Sequence, residues 1–134
     1  VLANNSIMNV ITPGTHGSTF GGNPLASAVA IEAIKIIKDE KLCENSYDLG
    51  IKFRKELFKL QSTTIKNIRG KGLLNAIEFK TNEHANKFCY NLLDNGIIAK
   101  TTHNTVVRMS PPLTITKKQI EISLDRVEKS LKNI

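Results

Sequence analysis

The amino-acid sequence predicts an α+β fold in which helices cover a small, mostly antiparallel sheet. Two observations lead to this prediction. Helical and strand-like hydrophobic patterns follow one another in the order helix, helix, strand, strand, helix, hairpin, helix, and no internal repeat or low-complexity tract interrupts them. The 134 residues, 40% of them hydrophobic, have the size of one domain and can bury a core. We therefore expect one globular unit.

The first half of the chain contains two predicted helices. Asn23 is a favourable N-cap and Pro24 suits the first helical position, so a helix should begin there and run to Lys38. Its apolar residues cover more than one stripe, which predicts a core helix buried on most of its circumference. The second helix, about 42–60, has one apolar face, although Gly50 within it costs about 1 kcal/mol relative to alanine.

Strand signals follow in two places. Residues 64–79 are rich in β-branched and aliphatic types and are interrupted at 70–72 by Gly-Lys-Gly, which indicates two short strands or one strand bent at a bulge. The runs 97–101 and 105–109 have the spacing of a hairpin, and Pro-Pro at 111–112 should end its pairing.

Two more helices belong to the second half. Asn82 can cap a helix whose apolar residues share one side, and Asn95-Gly96 supplies a left-handed stop. Thr116 and Gln119 form a capping box for a last helix that runs to the end of the chain.

Charge and cysteine content disfavour several classes of protein. The net charge is +7, but the lysines are scattered along helical faces, and aromatic residues make up only 5%, so we do not expect a nucleic-acid partner. Cys43 and Cys89 lack metal-ligand spacing, which predicts reduced thiols, a reducing compartment and no metal site. No apolar run approaches the ~20 residues that span a bilayer, so no membrane association is expected.

The glycine-rich loop at residues 14–25 is the strongest candidate site. It carries four glycines in nine residues and the hydroxyls of Ser18 and Thr19 directly before a helix start, a combination that can bind phosphate. It matches neither of the two common nucleotide-binding glycine motifs. We expect His16 and Asn23 to shape the loop and cap the helix. Composition alone leaves a plain flexible connector equally open.

Three segments, 14–25, 69–77 and 94–113, together resemble the class III aminotransferases, which are fold-type I pyridoxal-phosphate enzymes that transfer ω-amino groups. The loop is similar to that of the whole subgroup. The Gly-Lys-Gly-Leu-Leu-Asn-Ala-Ile and Val-Arg-Met-Ser-Pro-Pro-Leu stretches resemble its ornithine aminotransferase branch. The resemblance covers nearly all of the chain.

The resemblance implies roles for particular residues. Ser18 and Thr19 match the pair that binds the phosphate of the pyridoxal 5'-phosphate held by the partner subunit of a homodimer, with Thr19 the stronger candidate. Arg108 matches the arginine that binds a substrate carboxylate, chiefly that of 2-oxoglutarate or glutamate. We assign Arg69 and Lys71 to turn geometry and the surface.

The resemblance also implies a domain division and an activity. Residues 1–23 would end the large cofactor domain, 24–41 would form a connecting helix, and 42–134 would form the C-terminal small domain. The implied reaction moves the δ-amino group of L-ornithine to 2-oxoglutarate, giving glutamate semialdehyde and glutamate. No lysine here matches the one that forms the Schiff base in the family, so we expect this chain alone not to catalyse.

Alternatives remain at this point. The chain could belong to an acetylornithine aminotransferase or another ω-aminotransferase. It could also be a basic module that binds RNA or another polyanion, or a purely structural dimerisation piece. We expect a cytoplasmic location, with the mitochondrial matrix also open.

Overall fold

The computed structural model describes residues 2–60, 62–132 and 134. Instead of the single unit expected from its length, the chain divides into two compact units, residues 1–36 and 37–134. The second unit contains the sheet and the main hydrophobic core.

The first unit contains a short helix, α1 (Asn5–Met8), which the sequence did not predict, and most of α2 (Pro24–Asp39). Helix α2 begins at the predicted residue, and the Asn23 side chain caps it by accepting a hydrogen bond from the N–H of Ala26 at 2.9 Å. The prediction of a core helix was wrong for this chain: none of the 16 residues of α2 is buried. Its apolar pattern is that of a buried helix, but its side chains are exposed or, at Ile37, half-buried.

After the end of α2, the described part of the second unit has three helices and four strands. These are α3 (Leu42–Lys59), β1 (Ile65–Lys71), β2 (Leu74–Phe79), α4 (Asn82–Asp94), β3 (Lys100–Thr102), β4 (Val106–Met109) and α5 (Lys117–Leu131). The strands form one sheet in the order β1-β2-β4-β3, and every neighbouring pair is antiparallel. This confirms the predicted helix-covered antiparallel sheet.

The core lies between the helices and one face of the sheet. Ile77, Phe79 and Val107 point inward from β2 and β4 and are at most 1% exposed. The ring of Phe79 packs against that of Phe88 from α4, with centroids 5.0 Å apart. Burial alternates along β2, as expected for a sheet with one face on the core and the other uncovered.

Gly50 of α3 allows a close approach that its position in a helix did not predict. A Cβ atom at Gly50 would lie 1.9 Å from the carbonyl oxygen of Gly72, in the turn between β1 and β2. Arg54, one helical turn further on, donates to this carbonyl at 2.8 Å and to Oδ1 of buried Asn75 at 2.6 Å. Glycine is therefore required at this point of α3, and its cost in helix propensity is offset by packing.

Helix caps agree with the sequence at one end and differ at another. The predicted capping box of Thr116 and Gln119 is present at the start of α5. The cap of α4 is Thr81 and not Asn82, because the Thr81 hydroxyl accepts the N–H three residues on. The Asn82 amide instead donates to the backbone oxygen of Asn104 at 2.7 Å, which ties α4 to the β3–β4 hairpin.

The hairpin forms where predicted, with a later start. Strand β3 begins at Lys100, because the N–H of Ile97 donates to the oxygen of Leu92 and completes the end of α4. The loop between the strands holds His103 (φ 50°) and Asn104 (φ 63°) in the left-handed region. Both residue types tolerate this conformation better than most.

Candidate functional site

The phosphate-loop candidate is ordered by local hydrogen bonds. The Ser18 hydroxyl oxygen accepts from the N–H of Gly21 at 2.9 Å, and the Asn23 amide donates to the oxygen of Phe20 at 2.7 Å. Gly22 has φ 72°, which suits glycine. Asn23 therefore both shapes the loop and caps α2, as predicted. No described hydrogen bond involves the side chain of His16, so its role in shaping the loop stays a prediction.

The two hydroxyls of this loop are available to a ligand. Thr19 is exposed and makes no hydrogen bond among the described residues. Ser18 uses its oxygen as an acceptor and keeps its own proton to donate. Two exposed hydroxyl donors next to a helix start are chemically suited to a phosphate group. The residues present thus fit the predicted cofactor phosphate.

Arg108 lies on the uncovered face of the sheet. Its register places it opposite Ala76 of β2 on one side and Lys100 of β3 on the other, and Ala76 in turn lies opposite Arg69 of β1. These four residues, Arg69, Ala76, Arg108 and Lys100, form a line across the sheet that we call the outer row. It contains three cations and no anion.

A depression of about 380 Å³ lies over this face. Leu74, Ala76 and Val106 contribute apolar surface to it, and Arg69, Lys71 and Arg108 contribute positive charge. Arg69 and Lys71 are exposed, as the sequence predicted. The structure also places them at the same depression as Arg108, which the sequence did not predict.

Arg108 differs from the other three arginines in its bonding. Arg54 and Arg126 donate to the backbone oxygens of Gly72 and Gly96, at 2.8 and 3.1 Å. Arg69 pairs with a carboxylate. Among the described residues, Arg108 has neither a hydrogen-bond acceptor nor an ion-pair partner. An exposed guanidinium beside a second cation and without a carboxylate is suited to an anionic ligand.

Glu78 is a residue of this face that sequence reasoning missed. Its two carboxylate oxygens accept from Lys66 at 2.7 Å and from Arg69 at 2.8 Å. The hydrogen bond from Lys66, followed by that from Arg69, holds the pKa of Glu78 below its ordinary value. The signal was present, because pairing the two predicted strands about their glycine turn places Glu78 across from this part of β1.

The cysteines and the possible metal-ligating residues do not form a further candidate site in the described part of the chain. Cys43 is exposed and Cys89 is half-buried, and burial raises the pKa of the Cys89 thiol. No three potential metal-ligating side chains are grouped together in the described ranges. Over the same residues, no helix has the length and apolar character needed to cross a membrane.

The profile of the family described as Aminotransferase class-III matches residues 1–131. The chain belongs to this aminotransferase family. Among curated proteins, it is 48% identical over 128 residues to the ornithine aminotransferase of Staphylococcus epidermidis, covering 96% of this chain and 32% of that protein. It is 52% identical over 120 residues to ornithine aminotransferase 1 of Staphylococcus aureus, covering 90% and 30%. The chain thus spans about a third of the length of these relatives.

Solved aminotransferase structures agree with the fold. A structure of the ornithine δ-aminotransferase of Plasmodium falciparum has a TM-score of 0.88 and 45% identity, over 98% of this chain and 35% of that one. The acetylornithine aminotransferase of Elizabethkingia anophelis also has a TM-score of 0.88, with 48% identity over 99% of this chain and 36% of that one. The predicted α+β class and family resemblance are confirmed.

Proposed function

We propose that this chain is the C-terminal part of a pyridoxal-phosphate-dependent enzyme that transfers the δ-amino group of L-ornithine to 2-oxoglutarate. The names of its curated relatives support ornithine as the amino donor. The observation that carries the proposal is Arg108, whose guanidinium has no partner among the described residues and borders a depression with an apolar floor. Such a site suits a carboxylate attached to a short carbon chain.

Arg108 binds and orients the dicarboxylate. A planar guanidinium can make two parallel hydrogen bonds to one carboxylate, which fixes the direction of the carbon chain as well as its position. Fixing that direction aligns the keto carbon for amino transfer. Arg108 holds no proton that moves in the reaction, so its contribution is to binding and orientation.

The test of this role is Arg108→Gln in the full-length enzyme. Loss of a charge-assisted pair should raise the KM for 2-oxoglutarate about 100-fold, with a much smaller change in the KM for ornithine. Arg126→Gln is the matched control, because it removes an arginine of α5 that donates to the backbone oxygen of Gly96 and does not line the depression. Equal changes in both KM values for Arg108→Gln would contradict the assignment.

Ser18 and Thr19 bind the phosphate of the cofactor held by the other subunit of a homodimer. Their free hydroxyl protons support this role. Pyridoxal phosphate, when bound, supplies an electron-poor ring that carries the amino group between the two substrates. The loop anchors the group through its phosphate and leaves the ring to other residues.

A hybrid dimer tests whether the loop acts across the interface. One subunit carries Ser18→Ala with Thr19→Ala, and the other carries a replaced cofactor-binding lysine. If the loop serves the partner, the hybrid contains one intact site and regains activity that neither homodimer has. If the loop serves its own subunit, both sites are defective and the hybrid stays inactive. Dialysis of the double alanine variant, followed by absorbance of the bound cofactor, measures retention directly.

The domain division follows the same proposal. Residues 1–23 end the large cofactor domain, 24–41 connect it to the small domain, and 42–134 form the small C-terminal domain. The exposed apolar side chains of α2 support a position within a longer protein that covers them.

An acetylornithine aminotransferase is the second candidate function. The acetylornithine enzyme of Elizabethkingia anophelis is as similar to this chain in structure as the ornithine enzyme of Plasmodium falciparum. Activity of the full-length enzyme on ornithine and on N-acetylornithine separates the two. A higher kcat/KM for ornithine supports the first proposal, and a higher value for N-acetylornithine replaces it with the second.

A further inference from the structure

We propose that Glu78 determines which arginine of the outer row receives the substrate carboxylate, by holding Arg69 in an ion pair and leaving Arg108 free. The inference rests on the proposed function, since it concerns the same dicarboxylate. It assigns Glu78 as a specificity-determining residue that acts through Arg69 and touches no substrate.

The two arginines are placed almost symmetrically. Ala76 stands between them on the central strand β2, opposite Arg69 on one side and Arg108 on the other. Neighbouring strands are about 4.8 Å apart, so both side chains start at similar distances from Ala76. Both arginines line the same depression, and the small side chain of Ala76 leaves the space between them open. Position alone therefore does not favour Arg108.

The bonding of Glu78 breaks this symmetry. Glu78 lies two residues from Ala76 on the same face of β2, opposite Asn67 of β1 and Val106 of β4. From this central place its carboxylate could reach either flanking strand. Both of its oxygens are taken by cations of β1.

A register shift in β1 explains why Glu78 turns to that side. The pairing slips between Ile65 and Asn67, so Lys66 has no partner residue on β2. Lys66 instead donates to one oxygen of Glu78 at 2.7 Å, and Arg69 donates to the other at 2.8 Å. The β4 residue opposite Glu78, Val106, offers it no charge. The bulge therefore commits the carboxylate to β1 and leaves Arg108 unneutralised.

Lys71 is the remaining cation at the depression and needs a separate control. It lies opposite Leu74 at the end of the β1–β2 pairing, beyond the last residue pair between β2 and β4. Its ammonium is a point charge and lacks the planar fork of a guanidinium. Among the described residues that line the depression, Arg69 is thus the one other guanidinium that could replace Arg108.

A rescue experiment in the full-length holoenzyme tests the proposal. Arg108→Gln removes the carboxylate receptor and raises the KM for 2-oxoglutarate. Adding Glu78→Gln to this variant releases Arg69, and we expect the KM to fall again by about tenfold, as for a regained charge-assisted hydrogen bond. Adding Arg69→Gln as a third change should abolish this recovery, whereas Lys71→Gln in its place should not. The KM for ornithine should change little in any of these variants.

Glu121→Gln in the Arg108→Gln background is the matched control. Glu121 pairs with Lys52 at 2.6 Å on the helical side, so its removal changes the net charge equally but frees no group at the depression. The proposal is overturned if Glu78→Gln gives no recovery, if Glu121→Gln gives the same recovery, or if the recovery survives Arg69→Gln. Melting temperature and cofactor absorbance check that each variant is folded and loaded.

Failure of the proposed function gives a different result. In that case the wild-type enzyme does not use 2-oxoglutarate, or Arg108→Gln leaves its KM unchanged. The role of Glu78 alone is removed by another combination of results. The wild type uses 2-oxoglutarate and Arg108→Gln raises its KM, but adding Glu78→Gln does not lower that KM again.

Discussion

The most apolar helix of this chain is exposed, whereas the more polar helices of the second unit each bury one face. In the first unit, α2 has isoleucine, leucine and valine along its length and buries none of its residues. In the second unit, α3 and α4 each bury one face against the sheet, and α5 buries one face against these two helices. The contrast teaches that an apolar pattern predicts a helix but does not supply its partner. Stability should therefore depend almost entirely on the second unit.

The largest difference is expected between two substitutions of apolar helix residues by alanine, one buried and one exposed. Phe88→Ala removes a fully buried ring and should lower the free energy of unfolding of the 134-residue chain by about 3–5 kcal/mol. Ile34→Ala removes an exposed side chain of α2 and should change it by less than about 0.5 kcal/mol. Urea unfolding followed by circular dichroism measures both. Similar losses would mean that α2 is packed in solution and would break the comparison.

Two glycines provide the next test. Gly50→Ala places a methyl group against the backbone of Gly72 and should cost about 1–3 kcal/mol through overpacking. Gly17→Ala in the loop meets nothing within 4 Å and should change stability by less than about 1 kcal/mol, in either direction. Melting temperatures compare the two. A Gly50→Ala protein as stable as wild type would show that the contact between α3 and the β1–β2 turn relaxes easily.

Helix caps should show the contrast on a smaller scale. Thr116→Ala removes the capping box of α5 and should lower the free energy of unfolding by about 1 kcal/mol, whereas Thr116→Ser keeps the hydroxyl and most of the stability. Asn23→Ala removes the cap of α2 and should speed amide hydrogen exchange in α2 without changing global unfolding. A lower free energy of global unfolding for Asn23→Ala would show that α2 unfolds cooperatively with the core.

The smallest effect concerns pH and Glu78. Its pKa is lowered from 4.5 in the folded chain, so its ion pairs stabilise the fold above that pH and this stability is lost as pH falls through the lowered pKa. Glu78→Gln should flatten this part of the melting-temperature profile between about pH 5 and pH 2. Glu32→Gln in α2, where both members of the pair with Lys35 are more than half exposed, should leave the profile nearly unchanged. A profile that Glu78→Gln does not alter would contradict the role of these ion pairs in stability.

Much of the fold was predictable because local signals agreed with the tertiary structure. Pro24 after Asn23 placed the start of α2, the Thr116 and Gln119 box placed α5, and two strands formed about the predicted glycine turn. The cap of α4 was placed one residue late, since Thr81 and Asn82 are both capping residues and only the contact of Asn82 with the hairpin decides between them.

The site was predictable in part. Arg108 was predicted from the family resemblance, and the loop hydroxyls from their glycine context and from the same resemblance. The partnership of Arg69 with Glu78 depends on strand register and on a bulge, which no local pattern of residues specifies. The lack of a partner for Arg108 likewise becomes visible only when the other side chains of the sheet are placed.

The left-handed turn between β3 and β4 has a consequence for engineering. A glycine at Asn104 would relieve an unfavourable backbone geometry and is an obvious choice for a more heat-resistant enzyme. Its neighbour His103 borders the depression, and the same short loop leads into the strand that carries Arg108. Variants of this loop that raise the melting temperature should therefore also be tested for activity, because His103 and Asn104 lie next to each other and a change at one can move the other.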